Sequence, residues 1–499
     1  MKWSGYVLAM LVFAGTVLAQ TGGISGKVQD ATQSPVPNAT VTLIAPSTGF
    51  SRTATTNETG LYTFTYLQPG EYNVSANAKG LDSQTNEGVR LEVGQTVQIN
   101  FTLQVGATQE HVTVSASTDL IQPETSDIGQ VINQRSVNDL PLNGRNPLAL
   151  VALVPGVVPQ GSSQQNAAGT NNSAYGNFQI GGGVANQSGW ILDGVSMVVP
   201  FGHAVELLPS QELIQEFKVQ TNDLPPEFGQ FSGGVVNMAT KAGTNEYHGE
   251  VYEFLRNKDL NANNFFNNEN GIPTGAFTQN QFGGTLGGPI VKDNTFFFLN
   301  YEGFRLRQGQ PLLLSVPTSA ERNGDFSALG TPIYNPFSST PDPAHPGQYI
   351  RQQAQCNGVL NVICPSQINP VSAKLLSLWG LPNVASAAGS DVNNWAGNAS
   401  SGGNTDQGTA RVDHYFSQKQ RFFLRYTYWK DNDLAVDPFH NGTYAGSIGT
   451  PEWYATHNAV IDDTYTLSPN TIVDLRGGFM RFSYMRSPET AGLDLTTIG

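Results

Sequence analysis

From Asn245 to Tyr484 the chain is a series of about seven strand-like segments whose connections run long, short, long, short, long, short. The segments are Asn245–Arg256, Gln279–Pro289, Thr295–Arg307, Gln407–Phe416, Arg421–Lys430, Tyr454–Leu467 and Thr471–Tyr484. The long connections are 257–278, 308–406 and 431–453; the short ones centre on Lys292-Asp293-Asn294, Ser417 to Gln420 and Ser468-Pro469-Asn470. Within the segments side chains alternate. Phe422, Leu424, Tyr426 and Tyr428 share one face, opposite Arg421, Phe423, Arg425 and Thr427. Val473, Leu475, Gly477 and Phe479 oppose Asp474 and Arg476, and Ala410, Val412 and Phe416 oppose Arg411 and Asp413. A water-soluble sandwich also alternates, but it has no reason to alternate its loop lengths. A transmembrane barrel does, with short periplasmic turns, long outer loops, an apolar outside and a polar inside. The expectation is a mainly β protein whose residues 244–499 are the first strands of an antiparallel outer-membrane barrel, in contact with lipid.

Export is consistent with that reading. Lys2 gives a positive start, Tyr6 to Phe13 an apolar run, and Val17-Leu18-Ala19 a small-residue site, which predicts a signal peptide over 1–19 with cleavage between Ala19 and Gln20. Beyond Gln20 no run of apolar residues is long enough for a spanning helix. The two cysteines, Cys356 and Cys364, fit a small disulfide-closed loop in an oxidising compartment. Only 13% of residues are charged and the net charge is −14, which gives no hint of nucleic acid, and no basic stripe with interleaved aromatics occurs in the sequence.

Residues 20–104 lack helical periodicity. Short β-rich runs recur at Gly23–Val28, Ala39–Ala45, Gly60–Tyr66, Gly70–Ala76 and Thr96–Leu103, separated by turn chemistry such as Gln68-Pro69-Gly70. This spacing predicts a β-sandwich. The stretches Gly26-Lys27-Val28, Pro35-Val36-Pro37-Asn38-Ala39-Thr40-Val41, Gly60-Leu61-Tyr62-Thr63-Phe64 and Leu67-Gln68-Pro69-Gly70-Glu71-Tyr72-Asn73-Val74 resemble the carboxypeptidase regulatory-like domain. That resemblance implies a transthyretin-like sandwich of the carbohydrate-binding-like fold group, here periplasmic and without a catalytic set. The segment has no Trp, and the alternation of Tyr62 and Phe64 with Thr places aromatics in a core rather than on a sugar platform.

Residues 105–118 read as a lone strand with unpaired edges, the form that adds to another protein's sheet. Glu110, His111, Val112, Thr113, Val114, Ser115 and Ala116 resemble the TonB box of outer-membrane transporters. Residues 119–243 mix short helical and strand signals, as an α+β unit would. Asp127 to Leu140 starts like a short helix, Trp190 to Val195 like a strand ending in an Asp-Gly turn, and Ser210 to Phe217 like a helix capped by Ser210, with a strand following. Arg145-Asn146, Leu192-Asp193-Gly194-Val195, Phe217-Lys218-Val219-Gln220 and Phe228-Gly229-Gln230-Phe231-Ser232-Gly233-Gly234 resemble the plug of TonB-dependent transporters, in the Oar-like subgroup that carries the same regulatory-like domain in front. The resemblance marks Asp193, Gly194, Phe228, Gly229, Gly233 and Gly234 as plug motif residues. It implies a TonB-type inner-membrane energy-coupling complex as partner, and a scarce small solute, peptide or oligosaccharide as cargo. Gln160 to Asn177 is expected to be an outward-facing plug loop.

A plugged lumen calls for about 22 strands, so the segments above read as the opening portion of a longer barrel. Two rival functions use the same sequence. An adhesive outer-membrane protein would use the sandwich and long loops on matrix or polysaccharide. A secreted peptidase would use His203 and Glu206 as an HxxE zinc pair, but no third ligand sits at supporting spacing, and neither a GxSxG elbow nor a P-loop occurs. No catalytic, metal or cofactor residue is therefore assigned.

Overall fold

The computed structural model describes residues 22–106, 112–115, 128–160, 177–199, 203–263, 265, 268, 273–386, 392–440, 451–468, 471–487, 494 and 496. The expected signal peptide with its Ala19–Gln20 site, residues Glu110, His111 and Ala116, and nearly all of the loop between Gln160 and Asn177 lie outside them.

The first unit is a two-sheet sandwich. Its strands are β1 (Gly22–Asp30), β2 (Thr40–Ala45), β3 (Phe50–Thr55), β4 (Leu61–Leu67), β5 (Gly70–Asn77), β6 (Gln84–Leu91), β7 (Thr96–Gln98) and β8 (Phe101–Leu103). One sheet is ordered β4-β1-β7, with β8 also on β1; the other begins β3-β2-β5-β6. Alternate residues of both sheets meet in one core containing Ile24, Leu43, Phe64, Val74 and Phe101. Tyr62 and Tyr72 are buried there, their hydroxyls donating to the carbonyls of Ile99 and Gln68 at 2.7 Å each. Burying both rings with the phenol satisfied leaves neither as a platform for sugar.

The second sheet has a fifth strand. β9 (Val112–Ser115) lies parallel to β6, in the register Gln84↔Val112, Thr85↔Thr113, Asn86↔Val114 and Glu87↔Ser115. The expectation of a lone strand with two unpaired edges is corrected. One edge is taken by β6, whose own outer groups would otherwise be open, and among the described residues no strand pairs with the other.

An inner unit follows: β10 (Ile128–Ile132), a short helix Gln134–Asp139 capped by Asn133, β11 (Val157–Pro159), β12 (Phe178–Ile180), β13 (Gly189–Leu192), β14 (Val195–Ser196), β15 (Ile214–Asn222) and β16 (Val235–Thr240). Its main sheet is ordered β10-β15-β16-β13-β14. The expected helix over Ser210–Phe217 is absent, and β15 is already a strand at Ile214. The polar side chains that would open such a helix are held elsewhere: Gln211 Nε2 donates to the carbonyl of Val137 at 2.5 Å, and Glu212 is paired with Arg145.

The outer wall is an antiparallel seven-stranded meander. Its strands are β17 (His248–Asn257), β18 (Phe277–Val291), β19 (Thr295–Leu314), β24 (Trp395–Ser417), β25 (Gln420–Leu434), β26 (Glu452–Ser468) and β27 (Thr471–Arg486), with β20 (Thr340–Pro341), β21 (Tyr349–Ile350), β22 (Gln355–Cys356) and β23 (Val359–Leu360) as short hairpins in the long β19–β24 connection. Cys356 and Cys364 form a disulfide in that connection. The sheet is not closed on itself. As the alternation predicts, Leu424, Tyr426, Leu475 and Phe479 are exposed on one face, while Arg411, Asp413, Arg425 and Thr427 are buried on the other, against the inner unit. Phe304, Leu306, Trp429 and Tyr454 of the wall join the inner unit's core. No helix among the described residues is long and apolar enough to cross a membrane.

The sandwich sits at the short-turn end of the wall. Asn245 N–H donates to the Ser47 carbonyl at 2.9 Å, Phe50 stacks on Tyr415 with centroids 5.0 Å apart, and Gln68 Nε2 donates to Asp413 Oδ1 at 3.3 Å.

Candidate functional site

The buried contact between inner unit and wall is organised by the β13–β14 hairpin. Its turn is Asp193-Gly194, with φ of 49° and 80°. Both lie in the left-handed region, where Gly costs nothing and Asp is among the residues best tolerated. That conformation sends the Asp193 carboxylate back into the fold. There it accepts from Thr240 N–H at 3.0 Å and Thr240 Oγ1 at 2.8 Å. It also faces two arginines of the wall, Arg425 Nε at 2.7 Å and Arg411 Nη1 at 3.6 Å. The Arg425 contact is an ion pair whose Nε–H is not aimed along a hydrogen bond. Arg425 instead donates to Thr427 Oγ1 and Asn458 Oδ1, both at 2.9 Å. Arg411 is also held by Asp413 through two 2.8 Å bonds, so Arg425 depends more on Asp193. Burial pushes the Asp193 carboxyl up, but Arg425 and Arg411 outweigh it and hold the group below its ordinary value.

A second contact forms at Glu206. It is fully buried, accepts from Asn458 Nδ2, and offers its backbone carbonyl to Thr456 Oγ1 at 2.8 Å. Burial raises this carboxyl to about 8, so at neutral pH it carries its proton. The HxxE reading separates here. His203 is exposed while Glu206 faces the wall, and no metal-binding group of His, Cys, Asp and Glu occurs among the described residues. Ser210 Oγ, at 3.0 Å from Asn300 Oδ1, adds a further bond to the wall.

The other motif residues serve the hairpin's surroundings. Phe228 is buried with Ile191 and Val235. A Cβ at Gly234 would collide with Ile180 Cγ2 and the Gln220 carbonyl, so only Gly allows β16 to pass this close. Gly233 similarly faces the Ser188 hydroxyl, and Gly229 ends the turn Pro226–Phe228. Asp193, Phe228, Gly233 and Gly234 therefore belong to one packed region. Val112–Ser115 lie apart from it, on the sandwich.

A second seam joins sandwich to inner unit along β15. Val93 N–H donates to Glu216 Oε1 at 2.5 Å, Arg90 Nη2 is 3.8 Å from Glu216 Oε2, and Lys218 Nζ donates to the Gly94 carbonyl at 3.1 Å. Glu216 is buried, and burial lifts its carboxyl to about 7, with Glu92 adding to the rise and the Val93 amide and Arg90 opposing it. Sequence reasoning missed Glu206 and Glu216. In β15 Glu216 and Lys218 alternate with Phe217 and Val219, which reads as the wet face of a strand and hides that Glu216 is buried.

Comparison with known proteins supports this architecture. The carboxypeptidase regulatory-like domain family matches residues 23–104, and the outer membrane beta barrel domain family matches residues 239–499. The chain is 30% identical over 305 residues to the TonB-dependent transporter Oar of Myxococcus xanthus, a match covering 59% of this chain and 28% of that protein. The chain therefore spans under a third of that relative's length. Among solved structures, the outer membrane transporter YddB of Escherichia coli is 12% identical, with a TM-score of 0.43 over 70% of this chain and 38% of that one. The ferric enterobactin receptor PfeA of Pseudomonas aeruginosa is 11% identical, with a TM-score of 0.36 over 72% and 42%. These three proteins are named as two transporters and a receptor. With more than half of its length matched and a wall that is apolar outside and charged inside, this is a protein of the outer membrane and belongs to the outer membrane beta barrel domain family.

Proposed function

We propose that the protein is a TonB-dependent outer-membrane transporter in which the inner unit is a plug, and that it imports a scarce solute when a TonB-type inner-membrane complex shifts that plug. The observation that supports the reading is the buried but polar and charged character of the plug–wall contact. Asp193 between Arg411 and Arg425, and Glu206 against Asn458 and Thr456, are polar contacts between two units that a purely structural core would fill with apolar side chains. Breaking such contacts exposes groups that water can solvate, so a plug held this way can leave its seat and return. The likeness to the Oar transporter supports the same reading, and the chain contributes binding and gating, with no bond chemistry.

The strand Val112–Ser115 is the proposed point of partner engagement. The test is binding of the isolated periplasmic domain of a TonB-type protein to the purified full chain in detergent, by biolayer interferometry. Val114→Pro removes a backbone donor and should weaken binding at least tenfold. Unchanged binding by Val114→Pro and by a 112–115 deletion would sink the energy-coupled reading and favour the adhesive one.

A further inference from the structure

We infer that the sandwich is a coupling adaptor: the energy-coupling partner adds a strand to the outer edge of β9 while β9 stays on β6, and the pull reaches the plug through the seam between sandwich and β15. This rests on the proposed function above and assigns a docking surface and a force path to a domain that otherwise has neither.

The first observation is topological. β9 ends the order β3-β2-β5-β6-β9, and among the described residues no strand pairs with its other side. In an extended strand, backbone groups point alternately to the two sides, so pairing with β6 uses one set and leaves the other for a newcomer. A partner strand can therefore bind by extending an existing sheet. It need not break the four register pairs that hold β9 to β6. A preformed edge also spares the partner the cost of ordering a free segment.

The second observation is the route from β9 to the plug. The covalent route runs through residues 116–127, up to about 40 Å of chain at full extension, before β10 is reached. A non-covalent route runs wholly through described residues. β6 ends at Leu91, and the turn that follows presents Val93 N–H to Glu216 and the Gly94 carbonyl to Lys218, both on β15. Arg90, on β6 itself, reaches Glu216 as well. β15 lies beside β16 in the plug sheet, and β16 ends at Thr240, the residue that holds Asp193. β6 and β15 thus give a pull on β9 a path toward the plug–wall contact that does not run through residues 116–127. Gln215 of β15 also donates to the Pro69 carbonyl at 3.3 Å, while Asn245, Asp413 and Tyr415 tie the sandwich to the wall, so the sandwich bridges the moving and fixed parts.

The test uses the full chain in detergent and the periplasmic domain of a TonB-type protein as probe. Thr85→Cys with Thr113→Cys places two cysteines at paired positions, so oxidation locks β9 onto β6. Partner addition predicts that the locked protein binds within about threefold of the reduced form. A loss of tenfold or more on locking, recovered on reduction, would overturn the inference and show that the strand must leave the sandwich. Loss of dependence on 112–115 altogether is a different outcome, since it defeats the proposed function itself. The force path is read by pulling on residue 113 of the locked protein by force spectroscopy. Glu216→Gln combined with Arg90→Ala and Lys218→Met, or Glu216→Gln alone if the triple variant misfolds, should lower the force at which the plug yields. An unchanged force in these variants would overturn the path through β15.

Discussion

Replacing Asp193 with Ala removes the carboxylate that faces Arg425, a guanidinium with no exposed surface, and takes the acceptor from Thr240 N–H. Breaking a buried pair by deleting one partner costs about 3–5 kcal/mol, because the other charge stays buried without compensation. Arg411 keeps Asp413, so the penalty falls mainly on Arg425. At about 1.4 kcal/mol per decade, plug opening should become two to four orders of magnitude more frequent. Hydrogen exchange followed by mass spectrometry reads this directly in Gly189–Leu192 and Val235–Thr240, which the hairpin and its neighbour bury. Asp193→Asn keeps an acceptor for Thr240 but not the charge, and should fall between wild type and Ala. Asp193→Ala with Arg425→Met removes both charges and should recover most of the protection. The reasoning is refuted if Asp193→Ala leaves exchange within threefold of wild type, or if the double variant is no better protected than the single.

The Glu216 carboxyl lies near 7 when the sandwich is docked and at its ordinary value near 4.5 when it is free, so docking takes up a proton; docking should be strongest below about pH 4.5 and weaken as pH rises through 7. Exchange at residues 90–95 measured from pH 5 to 8 should show this slope after correction for intrinsic rates, and Glu216→Gln should flatten it. Gly234→Ala should destabilise the plug by about 1–3 kcal/mol or more through collision with Ile180 and the Gln220 carbonyl, seen as a lower urea midpoint for Trp190 burial. Cys364→Ser should open the loop closed by Cys356, costing about 2–3 kcal/mol locally, with faster proteolysis confined to 340–370 and no change at Asp193.

The wall was the most legible part of the sequence because its signal is local and periodic. Phe422, Leu424 and Tyr426 against Arg421, Phe423 and Arg425 fix the two faces before any partner is known, and turns such as Lys292-Asp293-Asn294 fix the direction of each strand. The Asp193-Gly194 turn was legible for the same reason. Its meaning was not, since Arg411 and Arg425 lie more than two hundred residues away and read only as inward-facing polar positions. Ser210-Gln211-Glu212 imitated a helix start, and the tertiary bonds of Gln211 and Glu212 turned it toward a strand. The β9 segment was recognised as a strand, but the edge that an isolated strand joins is a property of the whole fold. Nothing in Val112-Thr113-Val114-Ser115 names β6 as its neighbour.

The central claim is that the plug moves within its wall when the partner engages the chain. Ser188 is a buried residue between plug elements, and Ser188→Cys is a near-isosteric change that leaves the one reactive thiol, because the two native cysteines are bonded to each other. Labelling of that thiol by a periplasmic maleimide would be measured in cells with and without a proton gradient. The account predicts labelling in energised cells, and protection both after an uncoupler and after deletion of 112–115. Equal labelling in all three conditions would contradict it.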